Sequence, residues 1–307
     1  MIIHPDFAGI DISKHHLDVF DGACGKPERF DNSAAEARRL ALRFKAQSSC
    51  VLFEATGRYD RCLRDAFVAQ KLAFARVNPA RARDFARATG QIAKTDAIDA
   101  RMLAAMAQTL SPDTFQPASA ARQELADLQL RRDQLVSMRA DEMARLEALA
   151  NARIAKAIDR HIRHLSKEIV AIEAGIASLV AREPDIQQTA RKLRSIPGIG
   201  PVAASVLIAL MPELGHCSQN QAAALAGLAP FNVDSGKMRG KRKIKGGRAR
   251  VRNALYMSAV VVCRGKTRFA HFYKHLIEKG KPALIAVARK ILITANALLR
   301  DNKEFAP

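Results

Sequence analysis

No two of the chain's five cysteines (Cys24, Cys50, Cys62, Cys217 and Cys263) stand in a C-x-x-C arrangement, and their number is odd. That excludes a disulfide framework or a cysteine-rich zinc site as the organising chemistry and suits a reducing cytoplasm. No apolar run approaches the roughly 20 residues that cross a bilayer, which excludes a membrane-embedded protein. The opening MIIHPDFAGIDISK lacks a basic segment followed by an apolar one, so no secretory signal is expected. Acidic residues are nearly missing from one end: only five Asp or Glu fall in residues 186–307.

Positive charge is what the chain has in excess. Fifty Lys and Arg against thirty Asp and Glu give +20 over 307 residues. Such a balance points to a polyanionic partner, nucleic acid first and an anionic membrane surface second. Residues 1–115 carry 17 basic and 14 acidic side chains, residues 116–185 carry 11 of each, and residues 186–307 carry 22 and 5. Nine of the sixteen residues from Lys237 to Arg252 are basic, with no acid among them. A solvated face usually mixes signs, whereas a uniform block repels itself unless a polyanion compensates it. Lys237, Arg239, Lys241, Arg242, Lys243, Lys245 and Arg248 are therefore candidate phosphate-backbone contacts, against the plainer reading of a soluble basic loop. With 49% apolar and 26% charged residues the chain is far from disorder.

The composition shifts suggest three parts: 1–115, 116–185 and 186–307. In the first, Phe7–Ser13 and Leu17–Phe20 read as paired strands and Ser33 as the cap of a helix to about Lys45. Cys50–Glu54 suits a buried strand, followed by helix Tyr59–Gln70, strand Leu72–Val77, a helix after Pro79 and another from about Thr95 to Gln108. This is a three-layer α/β pattern. The middle is helical. Ile154, Ile158, Ile162, Leu165, Ile169, Ile172, Ile176 and Leu179 follow a near-heptad seam, so two long helices should form a coiled-coil hairpin or a dimerising arm. His161 and His164 beside the seam read as solvated helix residues. The last part opens with Ile196-Pro-Gly-Ile-Gly-Pro201, a helix-hairpin-helix-like turn. Gly198 and Gly200 there would let backbone amides grip a phosphate, unless the segment is a plain helix–helix turn.

Four carboxylates invite a metal reading. Asp11 sits inside an apolar strand between Ile10 and Ile12, where a charge is costly unless paired or metal-bound. Glu54 ends the second buried run under the same pressure, and Asp96 and Asp99 share one helix face at i, i+3. Hard oxygen donors from two strands and a helix suit a pair of Mg²⁺ ions, with Mn²⁺ as a substitute, though helix-dipole and turn-capping roles are the alternatives. Ser235, between Asp234 and Gly236 and followed by Lys237, Arg239 and Arg242, is placed to attack a phosphodiester; a loop Ser-Gly is otherwise most often a turn.

Taken in order, Gly9-Ile-Asp-Ile-Ser-Lys14, Glu54-Ala-Thr-Gly57, Lys94-Thr-Asp-Ala-Ile-Asp99, Ile196-Pro-Gly-Ile-Gly-Pro201 and Ala226-Gly-Leu-Ala-Pro230 through Ser235-Gly236 resemble the DEDD transposases of insertion sequences of the one-ten and eleven-eleven groups. The resemblance covers nearly the whole chain. It implies an α/β plus α fold: a RuvC-like (RNase H-type) N-terminal domain, a coiled-coil arm and a mostly helical C-terminal transposase domain. It implies that Asp11, Glu54, Asp96 and Asp99 form the acidic tetrad and that Ser235 is the catalytic serine. DNA, a noncoding bridge RNA encoded by the element and a homo-oligomer, dimer or tetramer, are the implied partners, in the cytoplasm. One departure stands out: many relatives have two serines followed by two glycines, whereas here Asp234 precedes Ser235 and Lys237 follows Gly236.

Overall fold

The computed structural model describes residues 3–306 except 48, 56, 58, 91–95, 116, 150, 232, 233, 236, 237, 240–242 and 281; at 96, 97, 231, 234, 235, 238 and 239 it describes the backbone alone. The chain forms two compact units, Met1–Pro117 and Ala118–Pro307.

In the first unit, β1 (Phe7–Ile12), β2 (His16–Asp21) and β3 (Pro27–Asp31) form an antiparallel meander. Helix α1 (Ala34–Ala46) then carries the chain to β4 (Cys50–Glu54), which pairs parallel to β1. Helix α2 (Arg61–Ala69) leads in the same way to β5 (Phe74–Val77), parallel to β4, giving the order β3-β2-β1-β4-β5. Helices α3 (Pro79–Ala88) and α4 (Asp96–Leu110) follow. The strand alternation sorts side chains onto two faces. Ile10, Val19, Val51 and Phe53 meet Leu40 and Phe44 of α1 and Phe67 of α2. Leu52, Ala75 and Val77 meet Ala82 of α3 and Leu103 and Met106 of α4 on the other face. Strand β3 has no apolar pattern to mark it in the sequence, because its Pro-Glu-Arg-Phe-Asp is charged and opens with proline. Both features belong to an edge strand, which is what β3 is.

The second unit begins with α5 (Ala120–Glu147) and α6 (Ala152–Arg182), joined where Asn151 accepts hydrogen bonds from the Arg153 and Ile154 amides. The two helices run antiparallel. Arg182 pairs with Glu124 at one end, Arg132 with Glu173 at 2.7 Å, and His161 lies 3.5 Å from Glu142 at the other end. The apolar seam read from the sequence is buried at Leu165, Ile169, Ile176 and Leu179, whereas Ile154 is 49% exposed. Leu125, Ile176 and Leu179 enter the core of the helices that follow: α7 (Pro184–Arg194), α8 (Pro201–Leu210), α9 (Gln219–Leu225), α10 (Ala249–Val262), α11 (Arg268–Glu278) and α12 (Ala283–Arg300). Between α9 and α10 the described residues form four two-residue strands: β6 (Pro230–Phe231) pairs with β9 (Lys243–Ile244), and β7 (Asp234–Ser235) with β8 (Met238–Arg239). All five cysteines are free. Burial pushes the Cys50, Cys217 and Cys263 thiols up, away from a nucleophilic thiolate.

Candidate active site and nucleic-acid interface

The register of the sheet places the first two carboxylates. Parallel pairing of β1 with β4 runs at a constant offset of 43 residues, from Phe7↔Cys50 to Ile10↔Phe53. One step further, the same offset sets Glu54 beside Asp11. Both side chains fall on the face shared by Gly9 and Leu52, the face covered by α4. Gly9 is required there: a Cβ at this position would lie 2.1 Å from the Ala100 carbonyl oxygen and 2.4 Å from the Ala104 amide nitrogen. The helix therefore rests on bare β1 backbone, which brings Asp99, the residue before Ala100, over the strand that carries Asp11. Asp11, Glu54 and Asp99 are each half-buried, and Asp11 also accepts the Ile12 amide at 3.0 Å. Asp96 begins α4, but its side chain lies outside the described residues. Among the described residues no group of three or more His, Cys, Asp or Glu closes into a metal cage. Asp11, Glu54 and Asp99 offer hard oxygen donors of the kind a divalent cation takes, two on adjacent strands and one on the helix that covers them, but as placed these three do not close on one point.

Two further carboxylates escaped the sequence reading. Asp18 on β2 lies directly opposite Asp11, is only 7% exposed, and is gripped by both ends of the Arg29 guanidinium at 2.8 and 3.1 Å. Like charges facing across a ladder repel, so Arg29 is what makes Asp18 tolerable beside Asp11. The feature that marks Asp11 in the sequence, a charge inside an apolar strand, equally marks Asp18 in Leu17-Asp18-Val19. Asp60 is fully buried and held by Arg76, whose guanidinium also lies over the Phe115 ring. No signal in the sequence announces that pair.

Ser235 belongs to the second unit. Its backbone sits in β7 opposite Met238, so it stands near the tip of a hairpin that leaves and re-enters the fold through β6 and β9. A glycine clasp closes the base of this excursion. Gly227, Gly246 and Gly247 all have φ near +68°, and a Cβ on Gly247 would meet the Gly227 nitrogen at 2.1 Å. Arg252 donates to the Gly246 carbonyl at 2.7 Å, and the Arg248 amide donates to Leu225. The side chains of Ser235 and Arg239, and Lys237, Lys241 and Arg242 entirely, lie outside the described residues.

The basic block divides into two kinds of residue. Lys243 and Lys245 are exposed. The last three arginines face the protein. Arg248 forms a two-pronged pair with Glu213 at 2.6 Å on both sides, Arg250 pairs with Asp133 at 2.6 Å, and Arg252 serves the clasp. The Pro-Gly-Ile-Gly turn divides as well. Gly198, at φ +89°, presses on α10, where a Cβ would lie 2.7 Å from the Ser258 carbonyl oxygen; Gly200 is exposed with open space around it. Gly198 therefore lets two helices approach, and Gly200 alone of the two faces outward.

Similarity to known proteins runs along nearly the whole chain. Residues 190–274 match the family described as transposases of the IS116/IS110/IS902 family, and residues 8–152 match the IS110-type DEDD transposase domain. The pilin gene-inverting proteins of Moraxella bovis and Moraxella lacunata are each 30% identical over 97% of this chain and 97% of their own. An uncharacterized 42 kDa protein of insertion element IS900 from Mycobacterium paratuberculosis is 30% identical over 48% of this chain and 39% of its own. The chain belongs to the IS116/IS110/IS902 transposase family. As a transposase it is a DNA-recombining enzyme with DNA as substrate, and its DEDD domain implies dependence on a divalent metal. The match to the DEDD domain spans β1, β4 and the start of α4, the three elements that carry Asp11, Glu54, Asp96 and Asp99. The second match spans the Pro-Gly-Ile-Gly turn, the clasp and Ser235. No helix among the described residues is long and apolar enough to cross a membrane.

Proposed function

We propose that this transposase excises and inserts its own insertion sequence, with the first unit as a RuvC-like metal site and Ser235 as nucleophile. The observation that carries the reading is the row of carboxylates at the ends of parallel β1 and β4 under α4, in a sheet ordered 3-2-1-4-5. That order, with the first three strands antiparallel, supports an RNase H-type assignment. Asp11, Glu54, Asp96 and Asp99 would hold Mg²⁺, two ions by the number of carboxylates, with Mn²⁺ able to substitute. When bound, the cations neutralise phosphate charge and polarise the phosphorus for attack. The Ser235 hydroxyl oxygen forms a new bond to phosphorus as the bond from phosphorus to the DNA 3′ oxygen breaks. The serine proton is lost, the leaving oxygen takes one up, and a phosphoserine and a free 3′-hydroxyl result. Reversal on an exchanged strand reseals the DNA without an external energy source. Lys243 and Lys245, exposed at the base of the hairpin, favour the phosphate backbone there.

In this reading residues 1–115, 116–185 and 186–307 divide the labour between metal site, arm and serine domain. The half-exposed upper seam at Ile154 supports α5 and α6 as a coiled-coil arm that joins copies into a dimer or tetramer. A noncoding bridge RNA that pairs with donor and target DNA would explain a surface suited to backbone rather than base contacts. The relatives named for pilin gene inversion support DNA recombination as the reaction. A cytoplasmic location follows from the substrate.

The test is to trap the intermediate. Denaturing a reaction in progress should leave DNA covalently attached, with the link mapped to Ser235. Ser235→Ala should bind DNA as before and form no adduct, because a nucleophile acts in the transition state and adds little to ground-state affinity. Asp11→Asn and Glu54→Gln should abolish cutting with folding intact. An adduct on another residue, or full cleavage in EDTA, overturns the reading.

A further inference from the structure

A groove of about 760 Å³ opens in the second unit between α5, α6, α7 and the start of α8. Its walls are apolar, made by Ile176, Ala177, Val180, Ala190 and Val202. Two polar side chains, Gln129 and Ser205, are buried in them. Gln129 is fully buried and donates through Nε2 to the Ser205 hydroxyl, but its Oε1 accepts nothing among the described residues. A buried acceptor without a donor is costly, and Gln129 and Ser205 both line this groove.

The rim has a different character. Arg132, Arg191 and Arg194 surround it with Glu173 and Glu304. Both carboxylates are already matched, Glu173 by Arg132 at 2.7 Å and Glu304 by Arg191 at 2.8 Å. Arg194 is exposed and makes no ion pair among the described residues. Helix α8 starts on the same rim at Pro201. Its cap, Gly200, offers no side chain to the first amides, so the helix N-terminus is open to an anion.

The lining suits an occupant that is uncharged inside, able to donate an N–H at one point, and anionic outside. An unstacked nucleotide answers that description, since single strands are bound by placing bases on apolar or guanidinium surfaces while cations track the backbone. A duplex does not, because its bases are paired and stacked away from such a wall. We propose that this groove takes one or two unstacked nucleotides of a single strand. Gln129 Oε1 accepts a base N–H, and the phosphates lie at Arg194 and the N-terminus of α8. The inference rests on the chain acting on nucleic acid, and is independent of Ser235 and of the carboxylates.

The experiment measures binding only, on the full chain, with a short single-stranded oligodeoxynucleotide carrying 2-aminopurine, its oligoribonucleotide counterpart and a blunt DNA duplex. Ala177→Phe fills the groove from an exposed helix position, so the fold should survive. It is expected to weaken one or both single-stranded probes by about tenfold or more, the scale of losing one bound base, and to leave duplex binding unchanged. Gln129→Leu should weaken the same probe less when the base is replaced by an abasic unit. The strand that responds, DNA or RNA, names the source. Unchanged single-strand affinity in Ala177→Phe overturns the proposal, as does an equal loss for the duplex. A drop in particle mass by light scattering with single-strand affinity kept would assign the groove to a second copy, and overturns it too. No cutting is measured, so a failure here is separate from a failure of the serine or metal reading.

Discussion

At the scale of single residues, several charges that look functional are occupied by the fold. Arg29 is committed to Asp18, Arg76 to Asp60 and Arg248 to Glu213. The last pair yields a pH test. Burial raises the Glu213 carboxyl, but the hydrogen bonds and charge of Arg248 more than reverse this, so its pKa lies below the usual glutamate value. A carboxylate depressed in the folded state adds stability above its unfolded pKa, about 4.3, and loses it as pH falls through the folded value. Both side chains are 35% exposed, so solvent screening reduces the effect. Glu213→Gln is expected to cost about 1–2 kcal/mol near neutral pH, at the low end for a charge-assisted pair. Below about pH 4 that difference from the unmutated chain should shrink, as read by denaturant unfolding across the acid range. A gap that stays constant into strong acid would show that the pair contributes nothing through its charge.

The elements raise a question of close approach. Gly246 and Gly247 share nearly the same backbone conformation, φ +68° and +69°, but a Cβ on Gly246 meets nothing within 4 Å, whereas one on Gly247 meets the Gly227 backbone. Alanine at either position should cost about 1–2 kcal/mol for the left-handed backbone. Only Gly247→Ala should cost a further 1–3 kcal/mol or so, for forcing the clasp apart. Equal losses in the two variants would mean that the clasp yields freely and does not hold the base of the Ser235 hairpin. Much of this architecture was legible beforehand. The runs Phe7–Ser13 and Cys50–Glu54 announce strands by composition, and the seam around Leu165 announces a helix by period. What stayed hidden was set by tertiary contact. β3 is too polar to declare itself without its neighbour β2. The packing of Gly198 against α10 depends on a partner some 60 residues downstream, which no local pattern announces. Nothing in the run of cations after Lys237 shows that Arg248 has a partner 35 residues upstream.

For the molecule as a whole, the +20 charge is the dominant physical fact, yet its parts do different work. In the run from Lys237 to Arg252, Lys243 and Lys245 face solvent, while Arg248, Arg250 and Arg252 hold the hairpin base and α10 in place. The two groups should therefore separate in a salt titration of duplex DNA binding. Each phosphate neutralised contributes about 0.9 to the slope of log K against log salt. Replacing Lys243 and Lys245 by Ala should flatten the slope by up to roughly two units, weaken all sequences alike and leave stability unchanged. Arg250→Ala should do the reverse. It breaks the 2.6 Å pair that joins α10 to Asp133 on α5, so it should cost about 1–3 kcal/mol of stability and barely move the slope. The measurements are fluorescence anisotropy over a range of salt and thermal unfolding of the same two variants. If Arg250→Ala flattens the slope as much as the lysine pair does, its guanidinium reaches phosphate in the complex. The division of this block into binding and structural cations would then be wrong.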